Sequence, residues 1–548
     1  MMTYQLTGDE ALAQGVWEAG VRVATGYPGS PSTRFLEHLA EISDPKEIYA
    51  QWSANEKVAF EMALGVSMAG KRAAVSFKSV GLNVAMDPLM VANLGGVAGG
   101  LVVIVGDDPG AWGSQNEQDG RLLIRSAEVP LLEFSSPQEA YDMAKYAFSL
   151  SERFELPVFI RETRSSAGAR GAVHVEAERI RASKGTFAEL KSWKLFPVRP
   201  TEKHGELHAK APRIVAEFNH SPFNRMALKS DRGIVGAGYM AAKVSALVEE
   251  KGGEGLSIFK LGTVYPPPEG KLMEFLSRLE SVLVAEELQP MIEQYLRSLA
   301  QRHNLKVRVF GKETGHLPKE GELSRDHLLK AIQESLEIEI SPRVSTEPEG
   351  FAGRGIVYRS LPVQCPYYQA FEAFSTVLPR DPAERPILVG DDGCLIRLMN
   401  QPFSLLDCKF CMGSAIGLAS GLALAGEKSK IIALVGDSSF FHTGLPAYMN
   451  AAASGVGIMI VVLDNRCTAM TGCQGNPGTD FNLQERQQKR ISMEAVLKSA
   501  GIKVFRSVEA FGEKAVLAAA FRECLASREL AVLLVTGPCP NLTEKVCH

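Results

Sequence analysis

Short apolar runs alternate with helical spacing along most of the chain. Ile431–Val435 is an apolar run closed by Gly436-Asp437-Ser438; Thr443 to Ala453 carries helical spacing; Ile458–Leu463 is a second run closed by Asp464-Asn465. Two such runs around a helical stretch predict a βαβ unit on a parallel sheet. Ligands of these sheets bind beyond the carboxyl ends of the strands, where Asp437 and Asn465 fall. Upstream, Glu10–Ala19 predicts a helix and Val21–Ala24 a strand. The turn-rich loop Gly26-Tyr27-Pro28-Gly29-Ser30-Pro31-Ser32 then leads into a helix from about Thr33. Ala73–Phe77, Leu101–Val105 and Val158–Ile160 are further strands, and Arg232–Gly238 opens another strand-to-helix unit ending near Glu250. This alternation predicts an α/β layer fold.

Two weakly patterned stretches, about Lys184–Asp231 and Ile338–Pro362, divide the chain. They suggest domains at 1–182, 232–337 and 363–548, joined by a connector at 183–231 and a linker at 338–362. Gly236-x-Gly238 needs no nucleotide, because a tight strand-to-helix turn explains it.

Composition changes little. The 548 residues are 45% hydrophobic and 22% charged, with a formal net charge of −4. No basic stripe suggests a nucleic acid partner, and no apolar run reaches the length of a membrane span. The opening MMTYQLTGDEALAQ lacks the basic and apolar regions of a secretory leader, so the cytoplasm is the expected compartment. All nine cysteines lie at or beyond Cys365 and read as thiols.

The chemistry of the first unit is that of a hard cation. A carboxylate at Asp437 and an amide oxygen at Asn465 suit magnesium, whose octahedron is usually completed by phosphate and water. Gly436 would let the backbone approach a diphosphate, and a following helix N-terminus would favour its charge. Gly106-Asp107 and Gly390-Asp391 also follow apolar runs, yet the same offset from each reaches Ser135 and Ala419. Only the Asp437–Asn465 stretch therefore carries the full pattern.

That pattern resembles the thiamine diphosphate (ThDP) enzymes. TGYPGSPS, WSANEK, SVGLNVAMDPLM, GDDPG and SQNEQD, in this order, resemble the pyrimidine-binding domain of the indolepyruvate:ferredoxin oxidoreductase large-subunit family. FCMGSAIGLASG and GDSSFFHTGLPAYMNAAAS with LDNRCTAMTG resemble its diphosphate-binding domain. Lys260-Leu261-Gly262-Thr263, Tyr265-Pro266 and Val282–Glu287 are similar to its transketolase C-terminal-like domain. The resemblance implies two doubly wound parallel-sheet ThDP domains flanking that third α/β domain. It implies Mg²⁺ on the side chains of Asp437 and Asn465 and on the Cys467 carbonyl. It also implies a cofactor pocket lined by Tyr27, Pro28, Asp392, Gly393, Cys394, Met412, Gly413, Gly436, Ser438, Thr468, Ala469, Met470 and Thr471.

For the acid beside the cofactor's aminopyrimidine, helical periodicity does not separate Glu56 from Glu61; the resemblance selects Glu56. The structural alternative is a glutamate stabilised by its helix N-terminus. Ser30 implies a hydroxyl facing the substrate. His442 reads as an acid–base or polarising group, or as a structural hydrogen bonder. The implied reaction is oxidative decarboxylation of an aryl- or branched-chain 2-oxoacid to an acyl-CoA, with electrons passed through a partner to ferredoxin.

Two departures bear on the electrons. The family's paired C-x₂-C-x₂-C-x₃-C sets for [4Fe–4S] clusters are absent from the sequence; Cys408-x₂-Cys411, at the DCKFCMGSAIG helix start, reads as packed thiols. The family's CPGCPHR survives only as Cys365-Pro366, followed by Tyr367-Tyr368. Cys365, Cys394 and two others remain the alternative ligand set for one [4Fe–4S] cluster, though nothing in their spacing demands it; without it, electrons would leave through another chain or not at all. A non-oxidative decarboxylase or carboligase, or a non-catalytic ThDP-binding scaffold, are the competing readings. Because ThDP bridges two domains, a homodimer core is expected, with a smaller beta- or gamma-type subunit.

Overall fold

In the computed structural model, the described residues are 2–176, 179–180, 185–187, 200–250, 255–338, 360–379, 381, 384–484 and 486–542. Most of the 338–362 linker, the start of the 183–231 connector, and Cys547 lie outside them. The chain forms two compact units: Met1–Gln51 with Glu56–Gly355, and Trp52–Asn55 with Ile356–His548.

The first unit holds a seven-stranded and a five-stranded sheet. The larger runs Thr263–Tyr265, Leu131–Glu133, Val158–Thr163, Leu101–Asp107, Ala73–Lys78, Val23–Gly26, Tyr49–Trp52. Ala73–Lys78 and Leu101–Asp107 are buried at every position, as parallel strands covered on both faces must be. Thr263–Tyr265 joins that sheet antiparallel, against Leu131–Glu133. The smaller sheet runs Arg308–Phe310, Ser281–Ala285, Arg232–Ala237, Ser257–Leu261, Arg225–Ala227. The strand expected at Val21–Ala24 is observed at Val23–Gly26. The stretch expected as a connector contains the helix Pro200–Asn219, which continues through Pro212.

A buried ionic network lies inside this unit. Arg121, fully buried, meets Asp119 at 2.6 Å and Glu286 at 2.9 Å. Arg161 meets Asp107 at 2.5 Å and Glu133 at 3.0 Å. Buried charges persist only when paired and hydrogen-bonded, and Glu286 also accepts the N–H groups of Ile292 and Glu293.

The second unit is a six-stranded, wholly parallel sheet in the order Cys408–Lys409, Ile387–Gly390, Ile431–Gly436, Met459–Asp464, Ala531–Thr536, Val504–Glu509. From Ile387–Gly390 the chain first adds a strand on one side, then crosses to Ile431–Gly436 on the other. The order reverses between those two strands, and open α/β sheets bind ligands at such a switch point. Their carboxyl ends lead into Asp391 and Asp437. No described helix is long and apolar enough to cross a membrane. The α/β architecture with parallel sheets is the one the apolar alternation predicts.

Candidate functional site

In the second unit, Gly436 pairs with Leu463 across parallel strands, so Asp437 and the Asp464-Asn465 pair leave adjacent strand ends together. Asp437 is 1% exposed and accepts one side-chain hydrogen bond, from Asn476 Nδ2 at 3.1 Å. Burial pushes its carboxyl well above the usual range, and neighbouring Asp464 pushes it further. Asp464 is tied to Arg490 at 3.3 Å and to the Arg466 N–H at 3.0 Å. Asn465 Oδ1 accepts the Cys467 N–H at 3.2 Å. Thr468 Oγ1 is buried without a hydrogen-bond partner among the described residues, a state costing about 1–3 kcal/mol unless a ligand oxygen supplies one.

This donor set fits a hard divalent cation carrying a diphosphate. Two oxygen-bearing residues follow neighbouring strand ends, burial disfavours the carboxylate form of Asp437, and an unsatisfied hydroxyl lies on the following loop. A 2+ ion would relieve the like-charge and desolvation cost at Asp437.

The helix after Asp437 is not regular. Asp437–Ser439 is one short α-turn, Phe440–Gly444 is a π-turn, and Leu445–Ser454 resumes the α-helix, so the helix expected at 443–453 begins in a π-bulge. Such bulges concentrate at functional sites. This one carries His442, 6% exposed, whose backbone carbonyl accepts Asn55 Nδ2 at 2.8 Å within the same unit. Next to it, Thr443 Oγ1 donates to the Met412 carbonyl at 2.6 Å. Gly413 has φ +77°, and a Cβ there would fall 2.1 Å from Thr443 Oγ1. Its N–H donates to both oxygens of Asp391, at 2.7 and 2.9 Å.

The sequence-derived site names Asp392 and not Asp391. Asp391 is fully buried, and burial lifts its carboxyl to about 7. Asp392 is half-buried and paired with Lys409 at 3.2 Å. The signal that distinguishes them is the switch-point position at a strand end. Gly393 has φ +89° and starts the 3₁₀ turn Cys394–Met399; burial pushes the Cys394 thiol up to about 12. Ala469–Thr471 forms another 3₁₀ turn with no fully buried member.

Two expectations change. Gly436 has an ordinary extended backbone (φ −80°, ψ 161°), and its missing Cβ makes room for the Tyr367 hydroxyl, 3.1 Å from where a Cβ would stand. That hydroxyl donates to the Leu463 carbonyl at 3.0 Å. The glycine thus lets Tyr367 brace two strand ends. Of the two cysteines read as packed thiols, Cys408 is half-buried on an edge strand and packs against the apolar core, whereas Cys411 is exposed.

The first unit carries the other sequence-derived residues. Trp52–Asn55 belongs to the second unit, but Glu56 opens the helix Glu56–Met68 of the first. Glu56 is 5% exposed. A Cβ at Gly81 would fall 2.4 Å from Glu56 Oε1, so Gly81, within SVGLNVAMDPLM, makes the space for that carboxyl. Glu61 lies on the surface, paired with Lys57 at 2.9 Å. Burial therefore separates the two glutamates that periodicity left equal. In the TGYPGSPS loop, Tyr27 and Pro28 are buried and Ser30 is exposed.

Residues 14–226 match the family model for the thiamine diphosphate-binding part of pyruvate flavodoxin/ferredoxin oxidoreductases. Residues 392–535 match that for the C-terminal TPP-binding domain of thiamine pyrophosphate enzymes. The indolepyruvate oxidoreductase subunit IorA of Pyrococcus abyssi is 36% identical over 556 residues, covering 97% of this chain and 85% of that protein. The chain belongs to the IorA family. The Archaeoglobus fulgidus IorA is 32% identical, covering 98% of this chain and 87% of its own. A solved 2-oxoglutarate:ferredoxin oxidoreductase from Magnetococcus marinus, with 2-oxoglutarate, coenzyme A and succinyl-CoA bound, shares the fold. It is 15% identical, with a TM-score of 0.50 over 61% of this chain and 65% of that one. Membership makes this IorA-family chain a ThDP-dependent 2-oxoacid oxidoreductase, with ThDP-binding domains in both the N- and C-terminal parts of its sequence.

Proposed function

We propose that this chain is the ThDP-bearing subunit of an enzyme that oxidatively decarboxylates an aryl- or branched-chain 2-oxoacid, such as indolepyruvate, to its acyl-CoA. The observation that carries the reading is Asp437: a buried carboxylate at a parallel strand end, beside Asn465. The side chains of Asp437 and Asn465 and the Cys467 carbonyl would hold Mg²⁺, with Gly436, Ser438 and Thr468–Thr471 around the diphosphate. Tyr27, Pro28, Asp392–Cys394 and Met412-Gly413 complete the cofactor-lining set. ThDP, when bound, supplies the carbanion chemistry by which a 2-oxoacid loses CO₂.

The chain's own residues would supply proton handling and exclusion of water. Glu56 holds a proton for the cofactor's aminopyrimidine from a buried, fixed position. Its burial keeps bulk water from competing for that proton. His442 is held by the π-turn and offers a ring nitrogen to the substrate's polar groups, and the exposed Ser30 hydroxyl is a further donor. The relatives are named as subunits, which supports a further chain in the assembly; in this reading that chain passes electrons to ferredoxin, around a homodimeric core.

The test is an anaerobic assay with ThDP, Mg²⁺ and a panel of 2-oxoacids. It is run with and without CoA, methyl viologen and the partner subunit. Reduced viologen appearing only with CoA and the partner, fastest with aromatic 2-oxoacids, is expected. Aldehyde or acyloin release without any electron acceptor would overturn the oxidative reading and favour a decarboxylase or carboligase.

A further inference from the structure

Three thiols in the second unit converge on one point. Cys467 Sγ stands 2.9 Å from Cys473 Sγ, and Cys473 Sγ stands 3.8 Å from Cys539 Sγ. All three sulfurs lie within 4.8 Å of one another, and all three residues are buried. The half-buried side chains of Ala469, Phe481 and Leu542 wall them off. A disulfide has its sulfurs about 2.05 Å apart, so the 2.9 Å pair is not bonded. Thiolates around a single ion at about 2.3 Å stand about 3.8–4.0 Å from each other, a spacing the Cys473–Cys539 pair has at 3.8 Å and the Cys467–Cys473 pair would reach by opening from 2.9 Å. In an iron–sulfur cube each thiolate binds a different iron, which holds the sulfurs farther apart than one shared ion does.

The backbone is arranged to produce this convergence. Cys473 takes φ +59°, the left-handed region that costs a non-glycine residue about 1–3 kcal/mol. The Thr468 N–H donates to the Gln474 carbonyl at 2.9 Å, closing the loop so that Cys467 and Cys473 face each other. The third cysteine arrives from 66 residues later, and its own N–H donates to the Asn465 carbonyl at 3.0 Å.

We propose that Cys467, Cys473 and Cys539 form a binding site for one soft, thiophilic ion of the zinc(II) or copper(I) class. Soft sulfur ligands select such ions over magnesium. Binding forms three metal–sulfur bonds and releases the remaining thiol protons to water, with no change of oxidation state. The ion ties the loop carrying Asn465 and Thr468–Thr471 to the Cys539 segment. It is a structural clamp, distinct from the hard-cation position at Asp437, and it stands whether or not the proposed reaction does.

The experiment uses the full chain, stripped of metal under a thiol-free reductant, with Zn²⁺ and Co²⁺ as probes. One zinc per chain is expected, with protection of Cys467, Cys473 and Cys539 from alkylation read by peptide mass spectrometry. Cobalt should give a sulfur-to-metal charge-transfer band. Cys473→Ser and Cys539→Ser should weaken zinc by more than the roughly 100-fold that loss of an outer-shell partner costs, while Cys411→Ser retains one equivalent. The alkylation pattern of the unaltered chain decides the matter even if a variant misfolds. Three outcomes would overturn the site: no zinc-dependent protection, a Cys467–Cys473 disulfide in the isolated protein, or iron with acid-labile sulfide on these cysteines.

Discussion

Glu56 and Gly81 act as a pair, since the carboxyl occupies the space a methyl group at 81 would fill. Helix propensity alone favours Gly81→Ala by about 1 kcal/mol, so the fold should survive it, but the 2.4 Å approach to Glu56 Oε1 forces the carboxyl to move. Glu56→Gln should lower turnover by about 10²–10⁴. Gly81→Ala should lower it by up to about 10² through misplacement, with ThDP affinity nearly unchanged in both. Full turnover in Gly81→Ala would remove Glu56 from the chemistry. Asp391 gives a pH signature. Its carboxyl sits at about 7 when folded, against an ordinary value of 3.8, so the folded state holds the proton more tightly. Its contribution is fully present below about pH 4 and is lost as pH rises through 7, a change of up to about 4 kcal/mol. Asp391→Asn keeps an acceptor for the Gly413 N–H and does not titrate. In urea unfolding, the variant should therefore gain on the wild type between pH 4 and 7 and hold that advantage above pH 8. A constant difference across that range would mean Asp391 does not titrate there.

At the level of elements, the strands were legible because buried parallel strands are uniform apolar runs, as in Ile431–Gly436 and Leu101–Asp107. Irregular elements were not. The π-turn at Phe440–Gly444 leaves no periodic trace in five residues, and the helix Pro200–Asn219 hides behind Pro200 and Pro212. Likewise, SQNEQD is polar at every position, yet its Asp119 is buried beside Arg121. Another partner of that arginine, Glu286, lies 165 residues away, and no local window can report such a pairing. Of the proposed site, Asp437, Asn465 and Glu56 are named by motif, whereas Asp391 and Gly81 come into view only through packing. The network carries its own prediction. Arg121→Met leaves Asp119 and Glu286 buried without their cation and should cost about 3–5 kcal/mol, read as a lower urea midpoint. A loss under about 1 kcal/mol, the range of a solvated pair, would show that water reaches both carboxylates.

Over the whole molecule, residues kept for binding should reveal themselves by a conflict with stability. Asp437 is such a residue: it is wholly buried, its carboxyl is raised by burial and by Asp464, and Asn476 is its hydrogen-bond donor. Asp437→Asn preserves an acceptor for Asn476 and removes the ionisable group. Without cofactor the variant should unfold at or above the wild-type temperature. The gain should grow with pH, because the wild-type proton is lost as pH rises through the raised pKa. With ThDP and Mg²⁺ at about 100 times Kd, the wild type should gain about 2.7 kcal/mol and lose it again on adding EDTA. The variant should gain nothing. The expected order of melting temperatures thus reverses when cofactor is added, as it does where function is bought with stability. Two compact units make a single transition an unsafe assumption, so calorimetry should follow each transition separately, and only one that contains Asp437 should show the crossover. A variant that is less stable than wild type in both conditions would make Asp437 a structural residue and remove the support it lends to the cation site.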